Sequence, residues 1–104
     1  MRVFRDYQGR AVRFTDERHR HILDHPEMAA VDAEIEHALA GPDSVVESVS
    51  DPETRLYYRY LASTLVGAKQ LCVVVKVQSA DAFVITAYLT DKVKKGRVLW
   101  PTAG

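Results

Sequence analysis

A chain of 104 residues, 47% of them hydrophobic, can bury one ordinary core and is too short for two. Fourteen Lys and Arg residues balance fourteen Asp and Glu, so no bulk basic excess attracts a polyanion and any nucleic-acid binding needs a local basic patch. The lone cysteine, Cys72, excludes an internal disulfide and a multi-cysteine zinc site. No apolar run approaches the ~20 residues of a membrane span, and MRVFRDYQGR lacks a signal peptide's apolar stretch; a cytoplasmic protein without membrane contact is expected.

The expected organisation is one α+β domain over residues 1–104. Val12 and Phe14 alternate with Arg13, and Gln8-Gly9 turns this stretch back onto Val3-Phe4, giving a ribbon over 1–14. Thr15 followed by Asp16 and Glu17 reads as a capped helix start. Pro26 disfavours helical geometry at His25, so this first helix ends near Asp24. A second helix begins at Pro26, carries Val31, Ile35 and Leu39 at four-residue spacing on one face, and stops at Gly41-Pro42. The two helices occupy 15–41.

Residues 44–90 are rich in β-branched and aromatic side chains. Ser44–Ser50, Thr54–Leu61, Leu71–Gln78 and Ala82–Thr90 read as strands joined by short turns, hence antiparallel. Residues 91–104 form a basic tail with Lys92, Lys94, Lys95 and Arg97. The predicted fold is α+β, with two N-terminal helices packed on one face of a four-stranded antiparallel sheet, extended by the N-terminal ribbon.

Alternation assigns the faces. Leu56, Tyr58 and Tyr60, then Leu71, Val73, Val75 and Val77, then Phe83, Ile85, Ala87 and Leu89 are expected toward the helices. The opposite face then gathers Arg55, Tyr57, Arg59, Lys76, Thr86 and Tyr88. It has no carboxylate in the central strands, and such a surface suits a phosphate. The wet side of any half-buried sheet carries similar residues.

Three of the four histidines lie within seven residues, His19, His21 and His25. Imidazole exchanges protons near neutrality. His21 and His25 lack a third ligand in the pattern, so no metal and no cofactor are expected. His19 and His37 read as solvated helix positions, Glu27 as a first-turn dipole partner or a general base.

The segments RHRHILDHPEM, IEHALAGPDSVVES, DPETRLYYRY, LCVVVKV and FVITAYLTDKVKKG together resemble the phage and bacterial barnase–EndoU–colicin–RelE-like (BECR-fold) nucleases, over about residues 12–97. The resemblance implies two helices followed by a four-stranded antiparallel sheet with RNA on the face away from the helices. It implies metal-independent ribonuclease chemistry, toxin-like, with RNA as substrate and an acidic antitoxin-like protein as partner. Carried onto this chain, the catalytic positions are His25 or His21, Lys76, Arg55, Thr86 and Tyr88, with Tyr57 and Arg59 binding substrate. The alternative is a non-catalytic module of the same fold that binds RNA, a nucleotide or a protein.

Overall fold

The computed structural model describes residues 1–102; Ala103 and Gly104, the end of the expected basic tail, lie outside the described residues. Thr15 caps α1 (Asp16–Leu23), its hydroxyl accepting from the Arg18 N–H, with Asp16 and Glu17 in the first turn. His25 takes φ −92° and ψ 115°, the extended geometry that a following proline imposes.

The expected second helix is in fact two, α2 (Pro26–Ala29) and α3 (Glu34–Ala40). Between them the Val31 N–H bonds the Met28 carbonyl and the Glu34 N–H bonds that of Val31, closures that tighten the chain into turns. The break carries Asp32 to His19, with 2.7 Å between Oδ1 and Nε2. His19 is therefore not a solvated helix position: it is wedged between Asp32 and the Phe14 ring, 5.1 Å from ring centroid to ring centroid. Val31, Ile35 and Leu39 still reach the core, because the turns preserve the facing of their stripe.

The strands are β1 (Arg2–Arg5), β2 (Ala11–Phe14), β3 (Ser44–Glu47), β4 (Thr54–Leu61), β5 (Lys69–Gln78), β6 (Asp81–Thr90) and β7 (Arg97–Trp100). They form one seven-stranded mixed sheet in the order β1-β2-β6-β5-β4-β3-β7. This overturns the expected four-stranded antiparallel sheet with two packed helices. The ribbon joins the sheet itself, β2 meeting β6 in parallel at Arg13↔Phe83. A double hydrogen bond from Arg13 to Asp81, 2.9 and 2.6 Å, clamps that junction. The tail is not solely a basic appendage, since its β7 pairs antiparallel with β3 at the other edge.

Two features reverse the expected faces. Tyr57 pairs with Val73, and Val73 with Ala87, so Tyr57 lies on the helix side with Arg55 and Arg59. Leu56 and Tyr58 take the other side. In β6, Val74 opposes Thr86 while Val75 opposes Val84, leaving Ile85 as the extra residue of a bulge. Ala82 and Val84, not Phe83 and Ile85, therefore join Ala87 in the main core. Ile85 and Leu89, expected to be buried, are only half-buried.

The sheet is covered on both sides. On the helix side Phe14, Ile22, Met28, Ile35 and Leu39 pack on Tyr57, Leu71, Val73 and Val75. The hairpin tip folds onto the same side. Asp6, only 4% exposed, accepts hydrogen bonds from the N–H groups of Gln8 and Arg10, from Arg10 Nη1 and from the Tyr57 hydroxyl, the last at 2.7 Å. Gly9 completes the tip at φ +82°, a left-handed conformation that a side chain would strain.

On the other side Val46, Leu56, Tyr58 and Cys72 form a second cluster, with Val74 and Tyr88 packed against it. A strap, residues 91–96, links β6 to β7 and meets this cluster at Tyr58, Tyr88 and Val46. The Lys94 N–H donates to the Tyr58 hydroxyl at 3.0 Å. Gly96 presses on β3 so closely that a Cβ there would lie 2.7 Å from Val46 Cγ1 and closer still to the Glu47 carbonyl oxygen. Burial pushes the Tyr58 phenol up to about 12 and raises the Cys72 thiol, which leaves the thiol protonated and inert in the folded chain.

Tyr57→Phe keeps the ring and removes one donor from the buried Asp6 carboxylate. It should lower stability by about 1.5–3 kcal/mol, the range for a hydrogen bond to a buried charge. Urea unfolding at neutral pH checks this, with an unchanged denaturant slope showing that only stability moved.

Candidate active site

α1 and α2 pack against β6. Because β2 meets β6 only at Arg13↔Phe83, the remainder of that β6 edge has no strand neighbour. A cleft of about 370 Å³ lies there, between the α1–α2 junction and the stretch Thr86–Leu89. His21, Asp24, His25 and Glu27 line it from the helices, Thr86 and Tyr88 from the sheet, with Met28 and Leu89 among its apolar walls.

Local sequence explains each placement. His21 sits in the last turn of α1, and its Nε2 lies 3.9 Å from Glu17 Oε1 one turn earlier. His25 is held at the kink by Pro26, and its Nδ1 lies 3.9 Å from Glu27 Oε1. Both imidazoles are about two-thirds exposed, 69% and 68%, and free to meet a ligand. Thr86 and Tyr88 lie two apart in β6 beyond the bulge, which re-aims this end of the strand relative to Phe83.

Burial and the neighbouring Cys72 thiol raise the Tyr88 phenol, which makes it a hydrogen-bond donor and not a base. The Lys94 ammonium stands 5.9 Å from the centroid of the Tyr88 ring. Lys94 does not line the cleft but is a cation beside one of its residues that sequence reasoning did not place there. A Lys-rich run immediately after a strand was the available signal, but nothing local indicated that it doubles back over the sheet.

The expected six-residue face is divided. His21, His25, Thr86 and Tyr88 share the cleft. Lys76 lies on the same side of the sheet as Thr86 and Tyr88 but is engaged elsewhere, with Nζ 2.6 Å from Asp51 Oδ2 and 3.5 Å from Glu53 Oε1. The turn before β4 thus supplies carboxylates to this side of the sheet. Arg55, Tyr57 and Arg59 are on the helix side: Tyr57 is fully buried on Asp6, and Arg59 Nη1 donates to the Gly41 carbonyl at 2.7 Å. Alternation failed here because β4 has apolar residues on both of its faces.

Among the described residues no group of three or more His, Cys, Asp or Glu side chains is arranged to hold a metal ion. None of the described helices is long and apolar enough to cross a membrane. No protein-family model, curated protein or solved structure matches the chain.

The Asp51–Lys76 pair has a readable pH signature. The Lys76 ammonium, the Glu53 N–H and the Thr54 hydroxyl hold the Asp51 carboxyl down to about 2, from its ordinary 3.8. A carboxyl lowered on folding stabilises the native state above its unfolded value, and that contribution fades as pH falls through its folded value. The stability gap between wild type and Asp51→Asn should therefore be constant from about pH 7 to 5 and close as pH approaches 2. Urea midpoints measured across that range test this; a gap that persists at pH 2 would contradict the pairing.

Proposed function

We propose that the chain is a metal-independent ribonuclease acting by transesterification in the cleft between the α1–α2 junction and β6. The observation that carries this reading is one cleft lined by two exposed histidines from the helices and by Thr86 and Tyr88 of β6. The resemblance of about residues 12–97 to BECR-fold nucleases implies the same chemistry, although the sheet and the RNA-binding face it implies differ from the seven-stranded sheet and helix-lined cleft found.

In this reading one basic group, His25 or Glu27, takes the proton of a ribose 2′-hydroxyl. The oxygen attacks the adjacent phosphorus, the bond from phosphorus to the 5′ oxygen breaks, and His21 delivers a proton to the departing oxygen. The products are a 2′,3′-cyclic phosphate and a free 5′-hydroxyl. Tyr88 and Thr86 donate hydrogen bonds to the non-bridging oxygens, and Lys94 supplies positive charge beside Tyr88. Lys76, held between Asp51 and Glu53, and Arg55, on the other side of the sheet, are not assigned to the reaction.

Asp24 and Glu27 share the cleft with the imidazoles, which weakens its attraction for a polyanion and counts against a non-catalytic RNA-binding module there.

Total RNA incubated with the protein in EDTA should be cut to fragments ending in 2′,3′-cyclic phosphate, as identified by mass spectrometry. His25→Ala and His21→Ala should each lower the rate by about 10²–10⁴-fold, the usual contribution of a positioned acid or base. Lys76→Ala should stay within a few-fold of wild type. Salt-dependent RNA binding without cleavage would replace this reading with the binding module.

A further inference from the structure

The strap of residues 91–96 carries Lys92, Lys94 and Lys95, and the proposed reaction uses only Lys94. Its one carboxylate, Asp91, is taken by the Lys69 ammonium of β5. All three strap lysines are exposed, and among the described residues none of them forms an ion pair. By contrast Arg10, Arg13, Lys76 and Arg97 each meet a carboxylate. In a chain whose formal charges balance, the strap is therefore a local positive patch.

The strap starts beside the cleft. Leu89 of β6 lines the cleft, and the strap begins two residues later at Asp91. Between them the Thr90 hydroxyl oxygen lies 3.4 Å from both the backbone nitrogen and the carbonyl oxygen of Lys92. The Lys94 ammonium stands 5.9 Å from the centroid of Tyr88, another lining residue. Hydrogen bonding of the Lys94 N–H to Tyr58 and the tight seat of Gly96 on β3 hold the backbone that bears the lysines. A held backbone lowers the ordering cost of binding a ligand along it.

We propose that the strap is a phosphate track for a single-stranded RNA whose cleaved nucleotide sits in the cleft, with Lys92 and Lys95 binding phosphates beyond the scissile one. The proposal rests on the reading of the cleft as the site of cleavage. Two observations select this occupant. The cleft holds about 370 Å³, the size of a small-molecule site, so it admits a nucleotide of an open strand and not a stacked duplex. Asp24 and Glu27 in the cleft oppose a polyanion, so attraction for the strand has to come from outside it, and the strap supplies unpaired cations alongside. Six residues span at most ~20 Å when extended, enough for more than one phosphate to lie along them. A lysine ammonium meets a phosphate as a point charge and reads no base edge, so the track binds without regard to sequence.

The probe is a fluorescein-labelled 2′-O-methyl RNA strand of about 12 nucleotides. It has no 2′-hydroxyl to attack, so its anisotropy with the full chain reports binding whether or not cleavage occurs. For a single strand, log K falls against log salt by about 0.7 for each phosphate neutralised. The double variant Lys92→Gln with Lys95→Gln should therefore lose about 1.4 of the wild-type slope. Both side chains are exposed, and an unchanged urea midpoint confirms the fold. Arg5→Gln, which removes a cation from the edge strand β1, should leave the slope unchanged. In cleavage the double variant should lose several-fold in kcat/KM on a long RNA strand and match wild type on a dinucleoside monophosphate, which has no phosphate to reach the strap. No binding by wild type, a slope unmoved in the double variant, an equal fall per charge in Arg5→Gln, or a duplex bound more tightly than the strand would overturn the proposal. The expected loss of slope with neither RNA cut would keep the phosphate track and remove only the cleavage reading, so the two failures are distinct.

Discussion

The buried carboxylate of Asp6 is the constraint from which much of the architecture follows. A carboxylate taken out of water is costly unless its lone pairs are met by good donors. Here the donors come from the hairpin tip, through Gln8 and Arg10, and from Tyr57 in the centre of the sheet. The arrangement closes only when the N-terminal hairpin bends over the helix side and β4 presents Tyr57 toward it. Once Tyr57 faces that way, the two-residue period of a strand sends Leu56 and Tyr58 to the far side. Those side chains need cover in turn, and the strap over residues 91–96 provides it.

The same parity decides which polar groups stay free for chemistry. Arg55 and Arg59 travel with Tyr57 to the helix side, while Lys76 is neutralised by the turn that introduces β4. With the far side's centre covered, the exposed polar groups collect at the sheet margin. There β6 outruns its partner β2 and the kink at His25 brings the helices alongside. The contrast between the two cavities is chemical: histidines and carboxylates line one, and the Tyr7 and Trp100 rings border the other.

The long elements were legible in the sequence. The Thr15 cap, the Pro26 break and the spans of the four central strands follow from side-chain type and spacing within a window of several residues. What escaped was encoded over distance. The β1–β2 hairpin and the antiparallel pairing of β3 with β4 were readable from their turns, but strands of four residues show too little alternation to declare a second partner, so the parallel β2–β6 junction and the pairing of β7 with β3 were not. The break between α2 and α3 depends on Asp32 meeting His19, a contact between separate elements. His21, His25, Thr86 and Tyr88, which share one cleft, were singled out in the sequence because their spacing and chemistry are local. Arg55 and Tyr57 were misassigned because a strand apolar on both faces has no parity that alternation can choose, and the deciding residue, Asp6, lies far away in the chain. The β6 bulge left no mark beyond an ordinary run of apolar residues.

The strap also makes the single thiol a clock. Cys72 is fully covered, and the Lys94 backbone and Gly96 hold that cover in place by one hydrogen bond and a tight backbone contact. Lifting six residues is a smaller event than melting the sheet, and local openings of this kind occur far more often than global unfolding. The pace at which a thiol reagent modifies native Cys72 then counts excursions of the strap, and its response to denaturant tells whether the C-terminal strand departs alone or together with the sheet it borders.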